Sequence, residues 1–240
     1  MKASQRSFIA AAAALAVVSL GAAELKVDLS KEQAGKEPKV FQPIVGTWVV
    51  TKDGGDTVIM VDGRPWVVRQ SNPTKLLLES ARKFYGASNE GFMDNVKQFA
   101  YFPIAILKGL DDFTNGTISL KFKTVGGTND RCSGILFNVK PNGDWLAVRY
   151  NDTENNIALW SFHDGVRRIM KFGGRNAFVL DRSLWHELKM TVQGTDFKGW
   201  IDGTLGLEYT LKEPVSGRIG LWSKTDSTSY FKDYVVRQAP

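Results

Sequence analysis

The second half of the chain is a succession of short segments in which apolar and polar residues alternate, separated by turns rich in glycine, asparagine and aspartate. In one segment Ile118, Leu120 and Phe122 occupy every second position. In a later segment the neighbours Trp145 and Leu146 start two alternating series of residues, which would lie on opposite faces of a strand. Alternation with a period of two is typical of a β-strand with one buried face. Strands repeated at intervals of roughly 10 residues between such turns favour an antiparallel sandwich or barrel over βαβ units. We therefore expect an all-β domain.

The N-terminus has the anatomy of a cleavable secretory signal. Lys2 and Arg6 precede the uncharged apolar run Phe8–Leu20, and the small residues Gly21–Ala23 follow it. The run is shorter than the roughly 20 residues that span a bilayer, which disfavours a retained anchor, and no cysteine follows it for lipid attachment. We predict that residues 1–23 are removed and that the mature chain, without a membrane span, is exported to the periplasm or the extracellular space.

The charge balance argues against nucleic-acid binding. The chain has 31 Lys and Arg residues against 25 Asp and Glu residues, a formal net charge of +6. Loss of the leader would remove two of the positive charges and leave +4, and no long run of lysines or arginines remains. A solvated surface of mixed charge explains this pattern, so we expect no nucleic-acid partner.

The rest of the chain divides into an arm and one domain. Residues 24–44 are polar, charged and without periodicity, which is typical of a linker or an N-terminal arm. Residues 45–240 are expected to form a single β-sandwich domain. Residues 74–85 have an apolar spacing that suits a short helix between a proline and a glycine, although a strand followed by a loop fits as well. The single cysteine, Cys132, excludes an intrachain disulfide and is expected to be buried.

Several motifs in the C-terminal half resemble those of a known group of domains. The sequence WHELKMTV at Trp185–Val192, followed by FKGWIDG at Phe197–Gly203, resembles the signature of laminin-G-like jelly rolls. The sequence GRIGLWSK at Gly217–Lys224, with YFKDY at Tyr230–Tyr234 behind it, resembles their closing strand pair. The sequence SGILF at Ser133–Phe137 matches one of their middle strands.

These motifs make the chain similar to the concanavalin A-like lectin/glucanase superfamily over residues 113–237. The resemblance implies a two-sheet antiparallel jelly-roll sandwich and an oligosaccharide or polysaccharide partner. Within the superfamily the chain looks nearest to bacterial exported domains that are grouped with the 3-keto-disaccharide hydrolases and described as family-16-glycosidase-like. Such sandwiches include lectins, hydrolases and adhesion modules, so the resemblance alone does not select one function.

Aromatic and polar side chains on the strands indicate how a glycan would be held. The chain has 7 Trp residues. Sugar sites stack an aromatic ring on the apolar face of a pyranose, while planar groups such as Arg and Asn bond its hydroxyls. We expect a concave sheet to present the following ligand-binding residues: Arg149, Asn156, Trp160, Trp222, Lys224 and Asp226. The alternative is that the tryptophans pack in the core.

Two other functions stay open. A hydrolase of the 3-keto-disaccharide type would need a base to activate water, and its candidate catalytic residues are His163, Glu154 and Asp226. The E-x-D-x-x-E motif, which sets two carboxylates on one strand for retaining glycosidase chemistry, is absent from the sequence. A structural or protein-interaction module is the second alternative, and it predicts that residues 74–102 fill the concave face.

A calcium ion is the one cofactor for which the sequence offers candidate ligands. Related modules hold Ca²⁺ at a rim through aspartate and carbonyl oxygens, and Asp130 and Asp152 lie in predicted turns. No D-x-D-x-D-G loop is present, and acids in solvated turns are the simpler interpretation.

Overall fold

The structure is a computed structural model that describes residues 23–64, 102–164 and 166–239. These residues form fifteen β-strands and no helix. The helix predicted over residues 74–85 and the leader over residues 1–22 lie outside the described residues. The strands are β1 Ala23–Lys26, β2 Phe41–Val45, β3 Thr47–Asp53, β4 Asp56–Asp62, β5 Ile104–Leu107, β6 Gly116–Gly126, β7 Cys132–Val139, β8 Trp145–Asn151, β9 Asn156–His163, β10 Val166–Phe172, β11 His186–Gln193, β12 Asp196–Ile201, β13 Thr204–Thr210, β14 Arg218–Trp222 and β15 Thr228–Gln238.

The strands form two antiparallel sheets. One has eight strands in the order β13-β12-β11-β6-β15-β4-β3, and β1 pairs with the second half of β15. The other has seven strands in the order β10-β9-β8-β7-β14-β5-β2. The predicted all-β, two-sheet antiparallel sandwich is therefore confirmed.

The main core lies between the two sheets and follows the alternation seen in the sequence. Ile118, Leu120 and Phe122 of β6 are buried in it, and the Phe122 ring lies 5.4 Å from the ring of Tyr150 on β8. Burial of each large apolar side chain contributes about 1.5–3 kcal/mol to stability. Because every second residue of these strands points into the core, the residues between them must point outward.

The segment predicted as a polar arm enters both sheets. Strand β1 pairs with β15 and strand β2 pairs with β5. Phe41 is buried, and its ring lies 5.4 Å from the ring of Tyr234. A few apolar anchors thus hold a segment whose other residues are polar, which explains why composition alone predicted a linker over residues 24–44.

The outer face of the seven-stranded sheet, which points away from the other sheet, carries a second group of buried apolar residues. On this face the rings of Trp145 and Phe162 are stacked with their centroids 5.1 Å apart. The ring of Phe102 is stacked on Trp222 at 5.6 Å and meets the edge of Trp145 at 5.5 Å. We refer to Phe102, Trp145, Phe162 and Trp222 as the aromatic cluster.

Within the described residues, no helix has the length and apolar character needed to cross a membrane.

Candidate functional site

A group of charged and amide side chains occupies the other end of the same outer face. Strand β8 ends there, β9 begins there, and the loops before β7 and after β14 close over it. The residues of this polar cluster are Asp130, Arg149, Asp152, Glu154, Asn156, Lys224 and Asp226. Several of these side chains are buried, and buried charged groups are stable only when they are paired or hydrogen-bonded.

Arg149 is the centre of the polar cluster. It lies on β8 with only 3% of its surface exposed, and its guanidinium donates to the side-chain oxygen of Asn156 on β9. Its second terminal nitrogen donates to Glu154 Oε2 at 2.7 Å, and Asn156 donates to the same oxygen at 3.2 Å. Glu154 Oε1 accepts no hydrogen bond from any residue that the structure describes. Because Arg149 is fixed by two partners, the Glu154 carboxylate is held in one orientation.

The pKa of Glu154 is lowered by this arrangement. Burial acts to raise the pKa, but the positive charge of Arg149 and the hydrogen bonds from Arg149 and Asn156 outweigh it. Glu154 is therefore a carboxylate at neutral pH, which makes it an acceptor for hydroxyl groups and a poor proton donor.

Asp130 and Asp152, the candidate calcium ligands, are paired with cations of the chain. Lys224 Nζ lies 2.7 Å from Asp130 Oδ2. Asp152 Oδ2 lies 2.7 Å from Arg182 and 3.3 Å from Arg131. A calcium ion bound to these carboxylates would have to displace an ammonium or a guanidinium, so a calcium site here stays a prediction without a geometric basis.

Asp226 holds a loop rather than facing a groove. Its two carboxylate oxygens accept the backbone N–H groups of Thr128, Asn129 and Asp130 at 2.6–3.1 Å, and Thr225 Oγ1 donates to it at 3.2 Å. Burial acts to raise its pKa, but these backbone hydrogen bonds outweigh burial and lower it. With its oxygens occupied in this way, Asp226 acts on the site by shaping the loop before β7.

Trp160 supplies an aromatic ring beside the polar cluster. It lies on β9 and is half-buried, and the guanidinium carbon of Arg149 on the neighbouring strand β8 lies 6.0 Å from the ring centroid. Arg167 lies on β10, the strand on the other side of β9, with its guanidinium carbon 4.2 Å from the same centroid and 5.2 Å from the centroid of the Phe102 ring. The outer face therefore carries a tryptophan between two arginines across three neighbouring strands.

Arg167 is not among the ligand-binding residues expected from the sequence. The register of the β9–β10 hairpin identifies Arg167 as an outward-facing residue. Val166 pairs with His163, so Arg167 pairs with Phe162, which lies on the outer face. Because paired residues of neighbouring strands lie on the same face, the alternation that places Trp160 on the outer face also predicts that position for Arg167.

Comparisons with known proteins support the fold. The chain is 12% identical to the carbohydrate-binding module CBM66 from Bacillus subtilis, with a TM-score of 0.56, over 82% of this chain and 95% of that one. It is 13% identical to a protein of unknown function with a galectin-like fold from Bacillus subtilis, with a TM-score of 0.52, over 83% of this chain and 90% of that one. It is 11% identical to a Bacillus licheniformis beta-glucanase, with a TM-score of 0.43, over 90% and 92% of the two chains.

The chain has the concanavalin A-like jelly-roll fold. No family model matches it, and no curated protein matches it in sequence.

Trp222 does not line an open groove of this jelly roll. Its side chain is fully buried in the aromatic cluster, where Phe102 stacks on it. Gly134 lies opposite it on β7, and a Cβ atom there would come within 3.0 Å of the indole. The prediction that Trp222 stacks on a ligand is therefore wrong, because Phe102 occupies the face of its ring. Of the segment predicted to fill this face, only Phe102 lies within the described residues.

His163 lies at the opposite end of β9 from Glu154. Glu154 comes just before the strand and His163 is its last residue, and the 8 residues of the strand span about 25 Å. The three candidate catalytic residues therefore do not meet in one site. His163 is exposed and faces Asp144, with 2.5 Å between Nδ1 and Oδ2, while Asp164 Oδ2 lies 3.3 Å from Nε2.

Asp144, His163 and Asp164 are the one group of three potential metal ligands, within the part of the chain that the structure describes, whose ligand atoms lie within 4.8 Å of one another. Asp144 is half-buried and the other two are exposed, and exposed acidic groups commonly occur without a metal. This group lies away from the polar cluster.

Cys132 starts β7 beneath the polar cluster and is buried, as expected. Burial raises the pKa of its thiol to about 12. The thiol is therefore protonated at neutral pH and does not act as a nucleophile.

A cleft of about 620 Å³ lies near the start of β14. Its polar groups contact one another, since Arg218 lies 2.9 Å from Asp111 and the Ser216 hydroxyl donates to Asp112 at 3.0 Å. None of the described residues that line it has an aromatic ring. It therefore lacks the stacking platform that Trp160 provides.

Proposed function

We propose that this chain is an exported carbohydrate-binding protein that recognises a glycan on the outer face of its seven-stranded sheet, at Trp160 and the adjoining polar cluster. The observation that carries the proposal is the position of the half-buried Trp160 ring next to the fixed Arg149–Glu154 pair. In this site the face of the Trp160 ring that Arg167 does not cover packs against the apolar face of a sugar, and the charged groups bond its hydroxyls.

The Arg149–Glu154 pair has the hydrogen-bonding groups that a polyol needs. Glu154 Oε1 has no donor among the described residues, so it is available to accept a hydroxyl hydrogen. Arg149 is already ordered by Asn156 and Glu154. Little side-chain entropy is therefore lost when a ligand binds, which is the advantage of a preorganised site.

The proposed site is smaller than the one expected from sequence. Arg149, Asn156 and Trp160 stay in it, and Lys224 supports it through its ion pair with Asp130. Trp222 and Asp226 support the site from behind, because the first is packed in the aromatic cluster and the second holds the loop before β7. The similarity in fold to a carbohydrate-binding module supports the proposal, as does the predicted secretory signal.

The hydrolase alternative has no comparable support among the described residues. Glu154 is ionised and paired, Asp226 is bonded to the backbone, and His163 lies about 25 Å away along β9. The protein-interaction alternative has one observation in its favour, since Phe102 covers part of the outer face. That cover extends over the aromatic cluster and leaves Trp160 half-exposed.

A matched pair of tryptophan variants tests the proposal. Trp160 and Trp200 are both half-buried and both lie under a cation, Arg167 at 4.2 Å and Lys189 at 4.7 Å, but Trp200 belongs to the other sheet. We expect Trp160→Ala to weaken binding of any glycan found on a broad array by about 10-fold or more, because a stacked ring contributes on the order of 1.5 kcal/mol. Trp200→Ala should leave binding unchanged.

Binding is measured by isothermal titration calorimetry, with thermal unfolding of each variant as the control for folding. Equal losses in the two variants would show that the sugar does not bind at Trp160. The absence of any binder on an array that includes neutral and acidic glycans would overturn the proposed function.

A further inference from the structure

Among the described residues, one cation of the outer face has no ion-pair partner. In the polar cluster Arg149 is paired with Glu154 and Lys224 is paired with Asp130. Arg167, next to them, donates no hydrogen bond and forms no ion pair with any residue that the structure describes. Its guanidinium lies near the rings of Trp160 and Phe102.

The lack of a partner matters because Arg167 is half-buried. An exposed arginine is compensated by water, whereas a guanidinium that has lost part of its hydration needs a counter-charge or hydrogen-bond acceptors. Burial lowers its pKa, and the positive charge of Arg149 acts in the same direction, whereas the carboxylates of Asp130 and Glu154 act to raise it. The neighbouring Arg168, by contrast, is exposed.

The geometry leaves Arg167 free to bind an anion. A guanidinium 4.2 Å from a ring centroid interacts with the ring through its face and keeps its N–H donors around its rim. Those donors form a fork that matches a carboxylate or a sulfate in two parallel hydrogen bonds. The fork lies beside the ring on which the proposed sugar stacks.

We propose that the glycan recognised at this site is acidic, carrying a carboxylate or a sulfate ester that binds Arg167 while its ring stacks on Trp160. This inference rests on the proposed function and narrows its ligand class. A hexuronic acid and a sulfated sugar present the same chemistry to the arginine, and the test separates them.

The first arm of the test compares ligands on the unaltered protein. The probes are oligogalacturonides, the same oligosaccharides after reduction of their carboxyl groups to alcohols, and a sulfated galactose oligosaccharide. We expect at least one acidic probe to bind about 10- to 100-fold more tightly than the neutral one, the ratio expected for a charge-assisted hydrogen bond. The acidic probe that binds identifies the source of the charge.

The second arm compares two arginines of one strand. Arg167→Ala should remove the preference for the acidic probe, whereas Arg168→Ala should keep it, although both variants lower the net charge equally. Arg167→Lys should recover part of the loss, since it keeps the charge without the planar fork. Because the ligand comparison needs no variant, it decides the proposal even if Arg167→Ala fails to fold.

The outcomes separate the two proposals. Equal binding of acidic and neutral probes, with loss of both in Trp160→Ala, would overturn the acidic ligand and leave the sugar site standing. Equal weakening by Arg167→Ala and Arg168→Ala would show that the preference is long-range attraction and would overturn the role of Arg167. No binding of any probe or array glycan would overturn both proposals.

Discussion

Arg149 and Arg167 lie on the same face of the same sheet and differ in what they contact. Arg149 is buried and has an amide and a carboxylate as partners, so its place in the structure is accounted for by groups of the chain itself. Arg167 is half-buried near the rings of Trp160 and Phe102, and no described residue gives it an amide or a carboxylate partner. At the scale of single residues, a charge that the protein does not satisfy is a stronger indication of a ligand than one that it does.

His163 offers a prediction of pH dependence at the same scale. Its hydrogen bond to Asp144 raises its pKa, with the charges of Asp144 and Asp164 acting in the same direction. A raised pKa means that the folded state favours the protonated ring. The stabilisation is therefore fully present below the unfolded pKa of about 6.5 and is lost as the pH rises through the folded value.

We expect the NMR titration of His163 to give a pKa above about 6.5, and Asp144→Asn to bring it back towards that value. The chain has 2 histidines, so the His163→Gln variant assigns the signal. A midpoint that is unaffected by Asp144→Asn would show that Asp144 does not determine the charge of this ring.

At the scale of strands, glycines determine how closely two elements approach. Gly220 of β14 lies opposite Ile106 of β5, and a Cβ atom built on it would lie 2.0 Å from the carbonyl oxygen of Ala105. The contact is with backbone, which cannot turn away as a flexible side chain does. The strand pair β14–β5 therefore depends on the absence of a side chain at this position.

We expect Gly220→Ala to destabilise the protein by about 2–4 kcal/mol, because the two strands must separate to admit the methyl group. Gly55 is the matched control, since a Cβ atom there would meet nothing within 4 Å. Gly55→Ala should change the free energy of unfolding by less than about 0.5 kcal/mol. Urea unfolding measures both, and equal values for the two variants would contradict the close approach of β14 and β5.

At the scale of the whole molecule, the two halves of the outer face have different roles. The aromatic cluster is buried and adds a second core on the far side of the seven-stranded sheet. The polar cluster beside it is tied together by ion pairs and keeps Trp160 half-exposed. One sheet thus contributes to stability on both of its faces and still carries the proposed binding site.

Cleavage of the predicted leader would determine where the mature chain begins. Strand β1 begins at Ala23, and Glu24 pairs with Arg237 of β15 through the backbone and through a 2.6 Å side-chain contact. We expect the exported protein to begin at Glu24, so that cleavage removes residues 1–23 and leaves this ion pair in place. Mass spectrometry of the N-terminal peptide from the periplasm or medium measures this, and an intact Met1 in that fraction would contradict a cleaved signal.

The sequence by itself determined the class of fold and the direction of most strand side chains. Period-two alternation assigned Trp145 and Arg149 to one face and Leu146 to the other, and turn residues marked the strand ends. These are local properties, since each residue of a strand points opposite to its neighbour whatever the rest of the chain does. The same alternation, applied across the β9–β10 hairpin, also predicts that Arg167 points outward.

Only the tertiary structure decided which outward-facing residues stay accessible. Trp160 and Trp222 have the same outward parity, yet Phe102 from a distant part of the chain buries one and leaves the other half-exposed. Asp226 and Glu154 have the same charge, yet three backbone amides occupy the first. Burial and pairing depend on contacts between residues far apart in sequence, and periodicity contains no information about them.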